Sequence, residues 1–315
     1  MFDIFIFAIA LLVIARSSAM LVRSLSVLSR IFQISEYTIS FILMGFVTSM
    51  PELFIGISST LNKTPEFSFG NILGANIVNI SLIIGLAAVF AKGIEVESKI
   101  SRRNFWFIFV IALMPILLAF DGSLSRPDGI TILLIFSFYF WHTFRKRIYF
   151  SREENNLKRN FSLIRKAWRN LVSFLIGILF LLGSSALLVW SGENIAETMK
   201  LSNFIFGIIF VSIGTTLPEI IFGIRSSAQN HRSMTIGNTM GSIAFNAGLV
   251  VGLVSVISPI SIQVNPQFLF TGLFLIVSFL LFNAFIATKN IISKKEGVVL
   301  LLTYVTFIVI EYILI

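Results

Sequence analysis

The sequence predicts an all-α membrane protein of ten transmembrane helices, arranged as two inverted five-helix repeats. Three observations carry this reading. Of 315 residues, 56% are hydrophobic and only 12% charged, with a mean hydropathy of +0.93, where soluble domains carry roughly 25% charged residues. The apolar residues fall in stretches long enough to cross a hydrocarbon core of about 30 Å. The second half of the chain also repeats the first at one offset of 167 residues.

In chain order the spans read 2–23, 34–60, 68–91, 104–121, 127–146, 168–192, 201–227, 235–259, 267–288 and 297–315. The first, MFDIFIFAIALLVIA, has Asp3 where a cleavable leader has basic residues, so it reads as a span. The second and seventh each hold a proline followed by a glutamate. The third and eighth open on glycine and asparagine, and the others are plain apolar runs. Domain boundaries follow: a first five-helix repeat over 1–146, a short basic cytoplasmic linker over 147–167, and an inverted second repeat over 168–315.

Charge sets the orientation. Nine basic residues, Arg145 to Arg169, gather around the linker, which places it in the cytoplasm against anionic lipid rather than on nucleic acid. With that segment inside, twenty Lys and Arg fall on the cytoplasmic side and only Lys63, Arg126 and Lys200 outside. Both termini are then extracytoplasmic. Arg16 remains within the first span, about two turns from its cytoplasmic end, and is expected to snorkel to the interface. The linker is too short for a folded sensing domain, and no obligatory protein partner is evident. The chain has no Cys, which excludes disulfides, thiol catalysis and Cys-ligated metals. His142 and His231 lie at helix ends beside Arg and are expected to be solvated.

The repeat is specific. Between 45–85 and 212–252, twelve of 41 positions are identical, including Thr48, Pro51, Glu52, Gly56, Gly70, Asn71, Gly74 and Asn79. Five spans separate equivalent positions, and five is odd, so the second copy enters the membrane from the opposite side. Inverted repeats with interrupted helices mark secondary transporters that bind cargo near the midplane.

The interruptions read GFVTSMPEL (45–53) and SIGTTLPEI (212–220). Pro51 and Pro218 each remove a backbone donor, and the helix is expected to open before both. Glu52 and Glu219 are read as the only two acids deep within the spans, and the repeat symmetry brings them together. Two carboxylates close in a low dielectric repel, and a bound cation relieves that. Thr48, Ser49, Thr215 and Thr216 share the Glu-bearing faces at three- and four-residue spacing. Asn79 and Asn246, in the neighbouring GNILGANIVN (70–79) and GNTMGSIAFN (237–246), add amide oxygens. A donor set of oxygen alone suits Ca²⁺, Na⁺ or Mg²⁺ rather than Zn²⁺ or Cu⁺, and Ca²⁺ sheds water more readily than Mg²⁺. Ser17, Ser18, Ser184 and Ser185 read as residues that satisfy helix backbone or pack. No HExxH or serine-base motif supports an enzyme, and no cofactor is expected.

These motifs resemble the two alpha repeats of the sodium/calcium exchanger family, in the calcium/cation antiporter superfamily. The resemblance implies exchange of Ca²⁺ for Na⁺ by alternating access, with Ca²⁺/H⁺ exchange as the alternative. It implies Ca²⁺ held by the carboxylates of Glu52 and Glu219 and by the carbonyls of Thr48 and Thr215. It further implies Na⁺ sites using Ser49, Thr216 and Ser242, a central position lined by Asn79 and Asn246, and sliding of the first and sixth helices. Asn79 and Asn246 stand where family members often carry Asp. Ala75 stands where Ser is usual, opposite Ser242 in the repeat.

Overall fold

The computed structural model describes residues 2–32, 35–61, 63–96, 98–149, 161–196, 208 and 211–314. Over these residues the chain is a succession of helical segments: α1 (Phe2–Phe32), α2 (Glu36–Leu61), α3 (Pro65–Phe90), α4 (Ser98–Leu118), α5 (Arg126–Tyr149), α6 (Phe161–Ala196), α7 (Ser212–Ala228), α8 (Arg232–Ile257), α9 (Pro266–Lys289) and α10 (Lys294–Ile313). By length and hydropathy alone, six described stretches can cross a membrane: those in α2, α3, α4, α8, α9 and α10. Helices suit such a chain because lipid offers no partner for a backbone amide.

Local chemistry sets several starts. Ser35 accepts from the Thr38 amide at the head of α2, and Pro65 supplies the first turn of α3. Asn265 accepts from the Phe268 amide ahead of Pro266 in α9. Ser293 and Glu296 form a reciprocal capping box on α10.

Helices extend past two of the expected bounds, and one expectation is corrected. Helix α1 does not stop near residue 23 but runs to Phe32, because Leu25 and Leu28 are buried and nothing between 24 and 32 breaks a helix. Helices also occupy both ends of the 147–167 linker, whose residues 150–160 lie outside the described set. The fold is not purely helical either. Four two-residue strands, β1 (Ile94–Glu95), β2 (Ser123–Leu124), β3 (Ile260–Ser261) and β4 (Ile291–Ile292), form two antiparallel ladders. Ile94 pairs with Ile292 and Glu95 with Ile291, while Ser123 pairs with Ser261 and Leu124 with Ile260. Gly93 (φ 119°) and Gly122 (φ 92°) provide the left-handed turns that lead into β1 and β2.

Contacts recur at the repeat offset. Helix α1 packs along α6; the end of α3 packs on α10 as the end of α8 packs on α5. The backbone of Gly241 lies against Phe41 and Gly45, and Gly74 lies in the same way against Ile208 and Ser212. The largest core cluster runs through α2 to α5 and α7 to α10; rings of Phe105 and Phe282 stand 5.1 Å apart, and those of Phe136 and Phe245 5.3 Å. Arg16 is exposed on α1. Ser17 donates to Val13 O and Ser184 to Phe180 O, satisfying their own helices, whereas nothing is described of the Ser18 and Ser185 side chains. His231 is not simply solvated: its Nδ1 lies 2.8 Å from Glu36 Oε1, tying the head of α8 to that of α2.

Candidate cation site

The site lies where α2 and α7 meet α3 and α8. All nine residues expected there are buried, Ser49 with 3% exposure and the other eight with none. Helix α2 reaches the site through a π-helical segment at Ser40–Met44, then turns at Ser49 (φ −83°, ψ −1°) before resuming at Met50. Pro51 sits in the first turn after that break, where the missing donor does least harm.

Helix α7 differs from expectation: it runs from Ser212 to Ala228 without interruption, with Pro218 inside it. The lost donor leaves the Gly214 carbonyl unpaired by its own helix, yet the helical path survives. Thr215 and Thr216 hydroxyls both donate to Ser212 O, at 3.3 and 2.6 Å, bracing the turn before the proline.

Asn79 and Asn246 each occupy the second position of a π segment, Val78–Ile83 in α3 and Phe245–Val250 in α8. A π turn inserts a residue without ending the helix and is common at functional sites. Here the two insertions fall at the same repeat position.

Hydrogen bonding leaves the acids free. Thr48 Oγ1 is 2.9 Å from Met44 O, 2.9 Å from Ser242 Oγ and 3.2 Å from Asn238 Oδ1. On the other side Thr215 Oγ1 lies 3.3 Å from Asn71 Oδ1, its one proton shared between that oxygen and Ser212 O. Ser49 Oγ reaches Ser242 O at 3.4 Å. Glu52 lies beside Thr215, and Glu219 beside Thr48 and within Coulombic reach of Glu52. Those hydroxyls are committed elsewhere, however, and none of the four carboxylate oxygens holds a formed hydrogen bond. The side-chain amides of Asn79 and Asn246 are likewise unpartnered. Buried polar atoms are nearly always satisfied, so a convergent group of unpartnered acceptors fits a cation as ligand. No group of three His, Cys, Asp or Glu occurs among the described residues. A cation here would draw its remaining ligands from hydroxyls, amides and carbonyls.

Sequence reasoning left three features out. Asn71 and Asn238, identical at the repeat offset, anchor Thr215 and Thr48; their position in both glycine-asparagine motifs was the available signal. Ser212 faces Gly74 across the α7 and α3 crossing. Glu311 on α10 is a third fully buried acid, accepting from the Thr271 hydroxyl at 2.6 Å. It lies close to the chain end, where hydropathy could not separate core from interface.

Fold and site together define a multi-pass membrane protein with a sealed, oxygen-lined acid pair. The chain belongs to the sodium/calcium exchanger protein family, whose model matches residues 2–145 and 169–313. It is 29% identical to the inner membrane protein YrbG of Escherichia coli, over 80% of this chain and 78% of that one. It is 26% identical to the sodium/calcium exchanger MaX1 of Methanosarcina acetivorans, over 98% and 97%. A solved structure of the sodium-calcium exchanger NCX_Mj, soaked with 10 mM Na⁺ and zero Ca²⁺, superposes with a TM-score of 0.81 at 26% identity, covering 98% of each chain.

Proposed function

We propose that this protein is a secondary active antiporter that exchanges Ca²⁺ for Na⁺ by alternating access. It works in a prokaryotic plasma membrane as two inverted five-helix repeats, 1–146 and 168–315, with the 147–167 linker cytoplasmic and both termini outside. The observation that carries this reading is the pair Glu52 and Glu219, fully buried with four unpartnered oxygens and bracketed by hydroxyls and amides. Recurrence of contacts at the 167-residue offset supports the repeat architecture, and family membership supports antiport over catalysis or passive conduction.

In this mechanism the two carboxylates neutralise one Ca²⁺, with the Thr48 and Thr215 carbonyls completing its shell. Na⁺ ions use Ser49, Thr216 and Ser242 and compete for the same carboxylates, and that competition couples the two fluxes. Three Na⁺ against one Ca²⁺ would move one net charge, worth about 2.3 kcal/mol per 100 mV. Asn79 and Asn246 line the centre without adding negative charge.

Proton coupling is the second reading, favoured by one observation: Ala75, fully buried, puts no hydroxyl where the repeat places Ser242. Uptake of ⁴⁵Ca²⁺ into proteoliposomes separates the two. Flux driven by an outward Na⁺ gradient at fixed pH supports sodium exchange; flux that follows only the pH gradient defeats it. Undiminished exchange in both Glu52→Gln and Glu219→Gln would refute the site assignment.

A further inference from the structure

The two helix crossings that flank the acid pair are built alike but carry their serines on opposite partners. At the α2 and α8 crossing, Gly45 meets Gly241 so closely that a Cβ on Gly45 would fall 2.7 Å from Gly241 Cα and 3.0 Å from Ser242 N. The hydroxyl there comes from α8: Ser242 Oγ lies 2.9 Å from Thr48 Oγ1. At the α7 and α3 crossing, the residue equivalent to Ser242 is Ala75, which brings no oxygen. The residue equivalent to Gly45 is Ser212, so the hydroxyl comes from the facing helix. A Cβ on Gly74 would lie 2.7 Å from both Ser212 Cβ and Ser212 Oγ. Of the two positions that exchange roles, 45 with 242 and 212 with 75, each crossing thus has one serine.

Ser212 is fully buried and stands one turn before Thr215 and Thr216 on the Glu219-bearing helix. Its hydroxyl proton goes to Ile208 O, which leaves its oxygen lone pairs free to accept a cation. The missing Cβ of Gly74 makes room for the whole Ser212 side chain, whose Cβ and Oγ both lie 2.7 Å from where that Cβ would be. We propose that Ser212 is the hydroxyl ligand of a monovalent cation at the α7 and α3 crossing, supplying from α7 the oxygen that Ala75 withholds. This rests on the sodium-exchange reading above, and it makes the number of hydroxyl ligands equal on the two sides of the acid pair.

The test is the Na⁺ concentration for half-maximal ⁴⁵Ca²⁺ flux at fixed pH, in the unmodified protein, Ser212→Ala and Ser212→Ala combined with Ala75→Ser. Alanine keeps the Ser212 Cβ and its packing, so the fold is preserved. Loss of one ligand worth about 1 kcal/mol raises the half-maximal Na⁺ concentration about fivefold. Adding Ala75→Ser restores it to within about twofold, which a merely structural defect would not allow. An unchanged Na⁺ dependence in Ser212→Ala, or a shift that Ala75→Ser leaves in place, overturns the Ser212 assignment alone. Absence of Na⁺-driven flux in the unmodified protein overturns the exchange reading and this one together.

Discussion

Adding a single methyl at Gly241 tests the close approach on which the site depends. A Cβ there would lie 2.3 Å from Phe41 O and 3.0 Å from Phe41 C, whereas ordinary contact begins near 3.4 Å. The α2 and α8 backbones must therefore part by about 1.1 Å. The obstacle is backbone, which has no rotamer to change, so the cost lies near the upper end of overpacking, about 3 kcal/mol. Alanine returns up to about 1 kcal/mol through helix propensity. Gly241→Ala should then destabilise by about 2 kcal/mol, lowering the apparent melting temperature in detergent by roughly 4 °C. Gly74→Ala, whose Cβ would meet Ile208 O at 2.3 Å, should behave alike. Gly183 is the control: nothing lies within 4 Å of its Cβ position, so Gly183→Ala should be neutral or stabilising. If Gly241→Ala melted with Gly183→Ala, the close packing of α2 on α8 would be refuted.

Glu52→Gln leaves Glu219 to face a divalent cation alone; a loss of about 3–5 kcal/mol lowers apparent Ca²⁺ affinity by roughly 10² to 5 × 10³-fold in uptake titrations, and a change under about threefold would contradict the shared site. Pro218→Ala restores a donor inside a continuous helix and should raise thermal stability by about 1 kcal/mol or more, whereas Pro51→Ala, just after the Ser49 turn, should gain little; equal gains would count against the different helix paths. Ser40→Ala removes a buried bond of 2.9 Å to Met234 O and should cost about 1 kcal/mol in the same melting assay. Glu36→Gln weakens the tie to His231, whose partners are 24% and 20% exposed. That change should cost under about 1 kcal/mol and less in high salt.

Much of this was legible in the sequence, for identifiable reasons. Lipid forces spans into long apolar runs, so α3, α4, α8 and α9 fell close to their expected bounds. Duplication made Glu52 and Glu219 visible together with their threonines, because a coincidence repeated at a fixed offset is hard to mistake. Hydropathy could not see that α1 continues to Phe32, since its last turns are amphipathic and pack on protein. The strands escaped because two residues carry no periodicity. Proline chemistry predicted a break in both α2 and α7, but whether the helix turns or carries on depends on what braces it. Thr48 and Thr215 bond alike, each to its own helix and to an asparagine opposite; the difference lies one residue on, where the Thr216 hydroxyl donates to Ser212 O within α7 and the Ser49 hydroxyl reaches across to Ser242 O. Ser212 was hidden in plain view: its meaning lies in the helix opposite.

The ladders bear on how such a chain comes into being. Strand β1 follows α3 and pairs with β4, which precedes α10; β2 precedes α5 and pairs with β3, which follows α8. The two sequence halves are therefore laced together at both ladders, not set side by side. A half produced alone would present unpaired strand edges and uncovered helix faces, and would find them matched on a second copy of itself. Two fragments separated between Tyr149 and Phe161 and made together should accordingly meet as partners. The covalent link between the halves raises their effective concentration, while the two ladders supply contacts of their own between them.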